Sequence, residues 1–465
     1  MPEAPPFVHP YIPNSVPETR AAMLREIGVG DVEELFRDIP AKLRFHGRLD
    51  LPPPILDEAG LRRHAEEIVR KNVSCQERLS FRGAGCYQHY VPAVCDEIAR
   101  RAEFLGAYSG YTYSDKGKYQ ATFEYQSMLG ELIGMDAVTV PTFDGGTASG
   151  SAVRIACRLT GRAEVLVPAT MSPQRLAIMR DYCNVGISLT PVGFHPDSGE
   201  MDLDDLRAKL SERTAAVYFE NPSYLGLIES QGAQISELAH AAGAQSVVYV
   251  DPSSLGVLAP PADYGADIVC GDGQPLGIHM LFGGGQFGFI GTRDEERYVM
   301  ELPTLLFSIA PTTTKGEFGF GWSSMERTSY DLRGESHDFT GTTQGLWGIV
   351  AGVYLALMGP QGMRELGETI LQRVHYAMKR IGEIPGVRCP ALAATPFKEF
   401  VANFDGTDKS VAQINRGLLE RGIFGGHDLT AEFPALGRSA LFCVTEVHTK
   451  ADIDRLAEAL REVVA

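Results

Sequence analysis

Between Gly83 and about Leu302 the sequence alternates short apolar strands with amphipathic helices, and this alternation limits the fold more than any other feature. "FEYQSMLGELIG" has helical spacing, "AVTVPTFDGGTASGSAVRIACRLTG" reads as strand, glycine turn and helix, and "AEVLVPA" is a strand. "SPQRLAIMRDYCNVG" is a helix capped by Ser172 and stopped by Gly186. "AAVYFENPS", Val247 to Val250 and Asp267 to Cys270 are further strands, and "ISELAHAAGA" a further helix. Strands separated by helices of about 10–15 residues build βαβ units and a mostly parallel sheet. Ligands of such sheets gather at the carboxyl ends of the strands. Asp144, Asn221 and Asp251 fall there.

Different material flanks this core, and the 465 residues suffice for more than one domain. Residues 1–75 read as a helical N-terminal arm, with helices in "SVPETRAAMLREIGV", "GDVEELFRDIP" and "DEAGLRRHAEEIVRKN". Residues 76–342 form the large α/β domain. Residues 343–465 hold a long apolar helix, from about Gln344 to Met358, and a small α/β domain with the strands "EFVANF" and "ALFCVTE". The formal charge of −17 argues against nucleic acid or an anionic lipid surface as partner, since both need clustered Lys and Arg. No apolar run approaches the roughly 20 residues of a membrane span, and no secretory signal is visible. The eight cysteines are scattered without a CxxC pair, which suits reduced thiols in the cytoplasm. The spacing of Cys86, His89 and Cys95 matches no zinc pattern, so no metal is expected.

The segment "VVYVDPSSLGVLAPPADYGADIVCGDGQPLGIHM", residues 247–280, carries the strongest chemical signal. Asp251 ends a buried strand, the place from which pyridoxal-phosphate enzymes pair an aspartate with the pyridinium nitrogen; a lysine a few dozen residues later holds the cofactor. Here Gln274 and Pro275 stand in the expected turn, and no lysine occurs between Glu212 and Thr314. Lys315 lies beyond, in a glycine-rich loop, and reads as a surface or interface residue. Asp251 could equally cap the turn through Pro252-Ser253. In "FDGGTASGSAV", Gly146 and Thr147 open a helix, where free N–H groups suit a phosphate or the glycines simply serve a tight turn. In "HDFTGTTQG", Gly341 and Thr342 precede the long helix, as an anion site or as an ordinary cap.

Several stretches together resemble one family: "YIPNSVPETRAAMLREIGVGDVEELFRDIP", "GAGCYQHYVPAV", "FEYQSMLGELIGMDA", "VDPSSLGVLAPPADYGADIVCGDGQPLG", "YLALMGPQG" and "ALFCVTEVHTKADIDRL". Over nearly its whole length the chain is similar to glycine dehydrogenase (decarboxylating) subunit 1, the α subunit of two-subunit glycine-cleavage P-proteins. The resemblance implies the type I, aspartate aminotransferase-like pyridoxal-phosphate fold and an oxidoreductase subunit. It implies an α subunit that has lost the Schiff-base lysine and a homologous β subunit that keeps it and binds pyridoxal phosphate covalently, as an α2β2 assembly. The pair decarboxylates glycine and passes the aminomethyl group to the lipoyl arm of the H-protein.

Two segments depart from the family. "YSGYTYSDKGKYQ", residues 108–120, keeps Tyr108 and Tyr111 but not the family's glutamate. "RGESHDFTGTTQ", residues 333–344, looks like the F-x-G-T segment of class V aminotransferases, which clamps the phosphate of a neighbouring subunit's cofactor. The resemblance therefore places Gly341 and Thr342 at a partner's phosphate. It places Asp251, Gly146 and Thr147 on the cofactor side, and Tyr108, Tyr111 and Asn221 on the substrate side. No residue of this chain is expected to form the covalent bond. The altered segments leave open a different amino substrate, a homo-oligomer with unusual pyridoxal chemistry, or a non-catalytic scaffold or regulatory homologue.

Overall fold

The computed structural model describes residues 8–45, 47, 49–105, 113–284, 286–323 and 327–465. They divide into two compact units, Met1–Asn72 and Val73–Ala465. In the first unit, Pro17–Ile27 is helical: proline at the first position has no N–H to lose, and Gly28 ends the helix with φ 84°. A second helix, Glu58–Val69, starts at Asp57, whose carboxylate accepts from Gly60 N at 2.6 Å. "GDVEELFRDIP" reads as a helix in the sequence but makes only a 3-10 turn, Glu33–Phe36. Between Gly30 and Pro40 it is too short to repay helix nucleation.

The second unit is built on a seven-stranded sheet. In chain order its strands are β1 (Ala137–Val138), β2 (Glu164–Pro168), β3 (Ser188–Val192), β4 (Thr214–Asn221), β5 (Gln245–Val250), β6 (Ile268–Asp272) and β7 (Gly288–Thr292). In space the order is β1-β7-β6-β5-β4-β2-β3. β2 to β6 run parallel, β7 is antiparallel to β6, and β1 is antiparallel to β7. All eight residues of β4 are buried, as expected of a strand covered on both faces. Successive residues feed opposite faces: Val248 and Val269 join one core cluster, Val247 and Ile268 the other. The register pairs Asn221 with Val250 and Val250 with Gly271, so Asn221, Asp251 and Asp272 emerge side by side at one edge.

A hairpin, Leu306–Pro311 with Phe318–Ser323, follows the sheet, and Lys315 is exposed in its turn. The long helix runs from Gly345 to Gly382, well past the expected end at Met358. Gly359-Pro360 does break it, with Gly359 at φ 60°, but the apolar period resumes at once and a second helical segment continues. Val350, Tyr354, Leu366, Ile370 and Val374 bury one side of it in the core.

A small antiparallel sheet joins Glu399–Asn403, Ser439–Cys443 and His427–Asp428. Its helices Val411–Glu420 and Lys450–Val464 both begin with capping boxes, Ser410/Gln413 and Thr449/Asp452. Leu79–Ser80 pairs parallel with Ile423–Phe424, and Cys443 N donates to Phe81 O at 2.8 Å. The stretch after Leu79 is thereby threaded between the small sheet and the carboxyl edge of the large one.

Candidate functional site

Asp251, one residue past β5, is fully engaged. Its Oδ1 accepts from Ser253 N at 2.9 Å and from Ser253 Oγ at 2.7 Å, and its Oδ2 is ion-paired with Lys398. Lys398 immediately precedes the small-sheet strand Glu399–Asn403 and is buried. Its φ of 60° is a left-handed conformation that non-glycine residues seldom adopt. The ammonium also lies 3.0 Å from His89 Nε2 and 3.8 Å from the centroid of the Tyr87 ring. His89 Nδ1 in turn meets Glu446 Oε2 at 2.8 Å, while Tyr87 OH donates to Glu399 Oε2 at 3.0 Å.

Burial favours protonation of Asp251, but Lys398, Ser253 and His89 together outweigh it and hold the carboxyl below its usual range. Glu446 behaves alike: burial opposes ionisation, yet His89 beside it holds the carboxyl down to about 2. Glu399 is different. Burial pushes it up to about 7, although Ala84 N and Tyr87 OH donate to it.

A second carboxylate closes the neighbouring corner. Asp272 ends β6, accepting from Gln274 N at 2.9 Å and from Gly145 N at 3.0 Å. Gly145 opens the helix Gly145–Thr160, and Asp144 caps it through Thr147 N at 2.7 Å. Thr147 Oγ1 returns the bond by accepting from Asp144 N at 3.0 Å. A Cβ on Gly145 would lie 2.9 Å from that of Asp272, so helix start and carboxylate are in direct contact. Gly146 faces Ile178. Burial pushes Asp272 up to about 7.

The raised carboxyls have a measurable consequence. Asp272 and Glu399 keep their protons to higher pH in the fold than in the open chain, so the stability they contribute falls as pH climbs from the ordinary carboxylate range towards 7. Glu446 acts oppositely, losing its contribution as pH falls from its ordinary value towards 2. Thermal melts from pH 5 to pH 8.5 are expected to show a falling Tm, and the double variant Asp272→Asn/Glu399→Gln a flatter profile.

Gln274, where the lysine was expected, is buried and saturated. Its Nε2 donates to Tyr87 O and Ile278 O, both at 2.9 Å, and its Oε1 accepts from Tyr87 N at 3.0 Å. Nearby, Arg175 and Glu220 form a buried ion pair, with the guanidinium 3.7 Å from the Tyr249 ring centroid. Glu220 also accepts from Tyr218 OH at 3.2 Å and from Tyr224 N at 3.1 Å.

The other sequence candidates separate. Asn221 is buried at the end of β4, exchanging hydrogen bonds with the Glu229 backbone at 3.1 and 3.4 Å. Gly341 is half-buried and Thr342 exposed, just ahead of the long helix. Tyr108 and Tyr111 lie outside the described residues. Sequence reasoning missed Lys398, Arg175, Glu220 and the His89–Glu446 pair. The only signal was "FKEF", two charges inside an apolar strand run.

The cavity left beside Asp251 measures about 30 Å³, room for about two waters. A second cavity, about 400 Å³, adjoins it between Gly145, Arg175, Tyr249 and Gln344, and Asp272 lines both. Pyridoxal phosphate does not fit the Asp251 cleft as built, because the aspartate already holds a cation, carboxylates occupy the helix start, and Gln274 cannot form the imine.

Comparisons with known proteins agree on a single relationship. The family profile described as the glycine cleavage system P-protein matches residues 9–460. The probable glycine dehydrogenase (decarboxylating) subunit 1 of Staphylothermus marinus is 36% identical, over 98% of each chain. A crystal structure of glycine decarboxylase (P-protein) of the glycine cleavage system, in inhibitor-bound form, superposes with a TM-score of 0.83 at 35% identity, covering 98% of this chain and 100% of that one. Sphingosine-1-phosphate lyase of Burkholderia pseudomallei shares the fold alone, with a TM-score of 0.63 at 16% identity over 92% and 94% of the two chains. The fold is that of type I pyridoxal-phosphate enzymes.

Proposed function

Because this chain belongs to the glycine cleavage system P-protein family, we propose that it is the α-type subunit of a pyridoxal-phosphate-dependent glycine decarboxylase and completes the active site of a lysine-bearing β-type partner. The observation that supports this reading is Gln274, buried and held by three hydrogen bonds in the turn where the sequence leads one to expect a Schiff-base lysine. The cofactor, held covalently by the partner, supplies the electron sink for decarboxylation. This chain supplies the 341–342 segment ahead of a long helix, whose backbone N–H groups and exposed Thr342 hydroxyl suit a phosphate across the interface. Tyr108 and Tyr111 belong to the substrate side, and the lipoyl arm of an H-protein receives the aminomethyl group. The assembly is α2β2 and cytoplasmic. The departures at 108–120 and 333–344 favour one further reading, in which the same complex acts on another small amino acid.

Co-expression with a β-type chain tests the proposal. The two chains are expected to co-purify and to exchange labelled bicarbonate into the carboxyl group of glycine, or of another amino acid in a substrate panel, while the β chain alone does not. Thr342→Val is expected to lower exchange about tenfold, the worth of one charge-assisted hydrogen bond. A β chain fully active alone would refute the reading.

A further inference from the structure

We propose that this chain occupies both charged ends of its own cofactor cleft: the Lys398 ammonium stands on Asp251 where a pyridinium would, and the Asp272 carboxyl stands on the helix start at Gly145 where a phosphate would. The cleft presents an aspartate at a strand end and a set of N–H donors at a helix start, a pair of sites that calls for a cation and an anion. The chain itself supplies an occupant for each, Lys398 buried and Asp272 half-buried. Gln274 completes the substitution by bonding to the backbone on both sides of it.

Three features mark this as a built arrangement. Lys398 reaches Asp251 from a left-handed backbone position, a strain that the surrounding structure must impose. The ammonium is also enclosed, lying between His89 Nε2 and the Tyr87 ring. Tyr87 serves all parts at once, since its backbone holds Gln274, its ring lies beside Lys398 and its hydroxyl bonds Glu399. Asp251 and Gln274 belong to the large sheet's edge, Lys398, Glu399 and Glu446 to the small sheet's side. The filled cleft thus ties the two sheets together, a task that a bound ligand performs elsewhere.

The inference rests on the proposed function only in taking the cleft for a former cofactor site. Its test uses the full chain without a partner and pyridoxamine 5′-phosphate as probe, which is fluorescent and forms no imine with surface lysines. Wild type is expected to show no saturable binding up to about 1 mM, a free energy no better than about −4 kcal/mol. Lys398→Ala/Asp272→Ala is expected to bind saturably, at least about tenfold tighter than that limit, and to lose the gain when Asp251→Asn is added. Lys398→Arg is expected to exclude the probe as wild type does.

Saturable binding by wild type that Asp251→Asn abolishes would overturn the proposal. So would a folded double variant that binds no better than wild type. Thermal stability decides the case if that variant does not fold. Lys398→Met is expected to lower Tm by several degrees and Lys398→Met/Asp251→Asn to restore most of the loss, and no restoration would refute the ion pair as the filling. A β-type chain found active alone would remove the subunit reading and leave the probe result standing.

Discussion

Arg175→Met is expected to destabilise the chain by about 3–5 kcal/mol in urea denaturation, the cost of leaving a buried charge without its partner. The stranded group would be Glu220, whose side chain is 1% exposed and whose other donors are Tyr218 OH and Tyr224 N. Burial alone would favour the neutral form of Arg175, but Glu220 more than compensates and holds the guanidinium well above its ordinary range. The guanidinium therefore stays charged throughout the accessible pH range. Truncating the arginine also removes the cation over the Tyr249 ring, a further loss of about 1 kcal/mol. The double variant Arg175→Met/Glu220→Gln should regain more than half of the loss, because no charge is then buried alone. If the single and double variants melt alike, the ion pair is not what Arg175 contributes.

Gly226→Ala should be at least as damaging, for two separable reasons. Its φ of 85° costs an L-residue about 1–2 kcal/mol. Lack of space costs more: a Cβ would lie 2.0 Å from Glu399 O and 2.4 Å from its carbonyl carbon, and backbone cannot step aside as a side chain can. Phe397 N also donates to Gly226 O at 2.8 Å, so the loop and the entry to the small-sheet strand are stitched together here. Displacing that strand moves Lys398 and Glu399 with it. A total above about 4 kcal/mol is expected, with raised hydrogen exchange from Phe397 to Glu399. Gly186→Ala is the control: φ is again 85°, but a Cβ would meet nothing within 4 Å. It should cost only the backbone strain.

These sites explain how far the sequence could be read. The parallel sheet was legible because its buried strands carry a local signal, and Asp251 and Gln274 followed from their positions after β5 and β6. Local signals say nothing of partners far along the chain. Lys398 lies in another sheet, and only the fold brings it to Asp251. Asp272 was visible in "GDGQP", but its bond to Gly145 spans 127 residues and depends on the sheet order. The hairpin at 306–323 was missed because its strands mix Phe and Trp with Gly and Ser and show little of the usual β-branched pattern. The 341–342 turn was legible as a helix start, while the occupant of that start is not a property of the turn at all.

The strand at Leu79 also bears on how the protein is made. Its partners are Ile423 and Phe424, and Ser80 O accepts from His448 Nε2, 368 residues further on. A ribosome delivers Leu79 hundreds of residues before those partners. Until then the segment carrying Tyr87 and His89 has no small sheet to dock against, and Asp251 has no lysine within reach. The large sheet can assemble as it emerges, but closing the cleft is an event of such high contact order that it must await the small-sheet strands. Nascent chains of this protein therefore carry an open, acidic cleft from the emergence of Asp251 and Asp272 until the small sheet has been made.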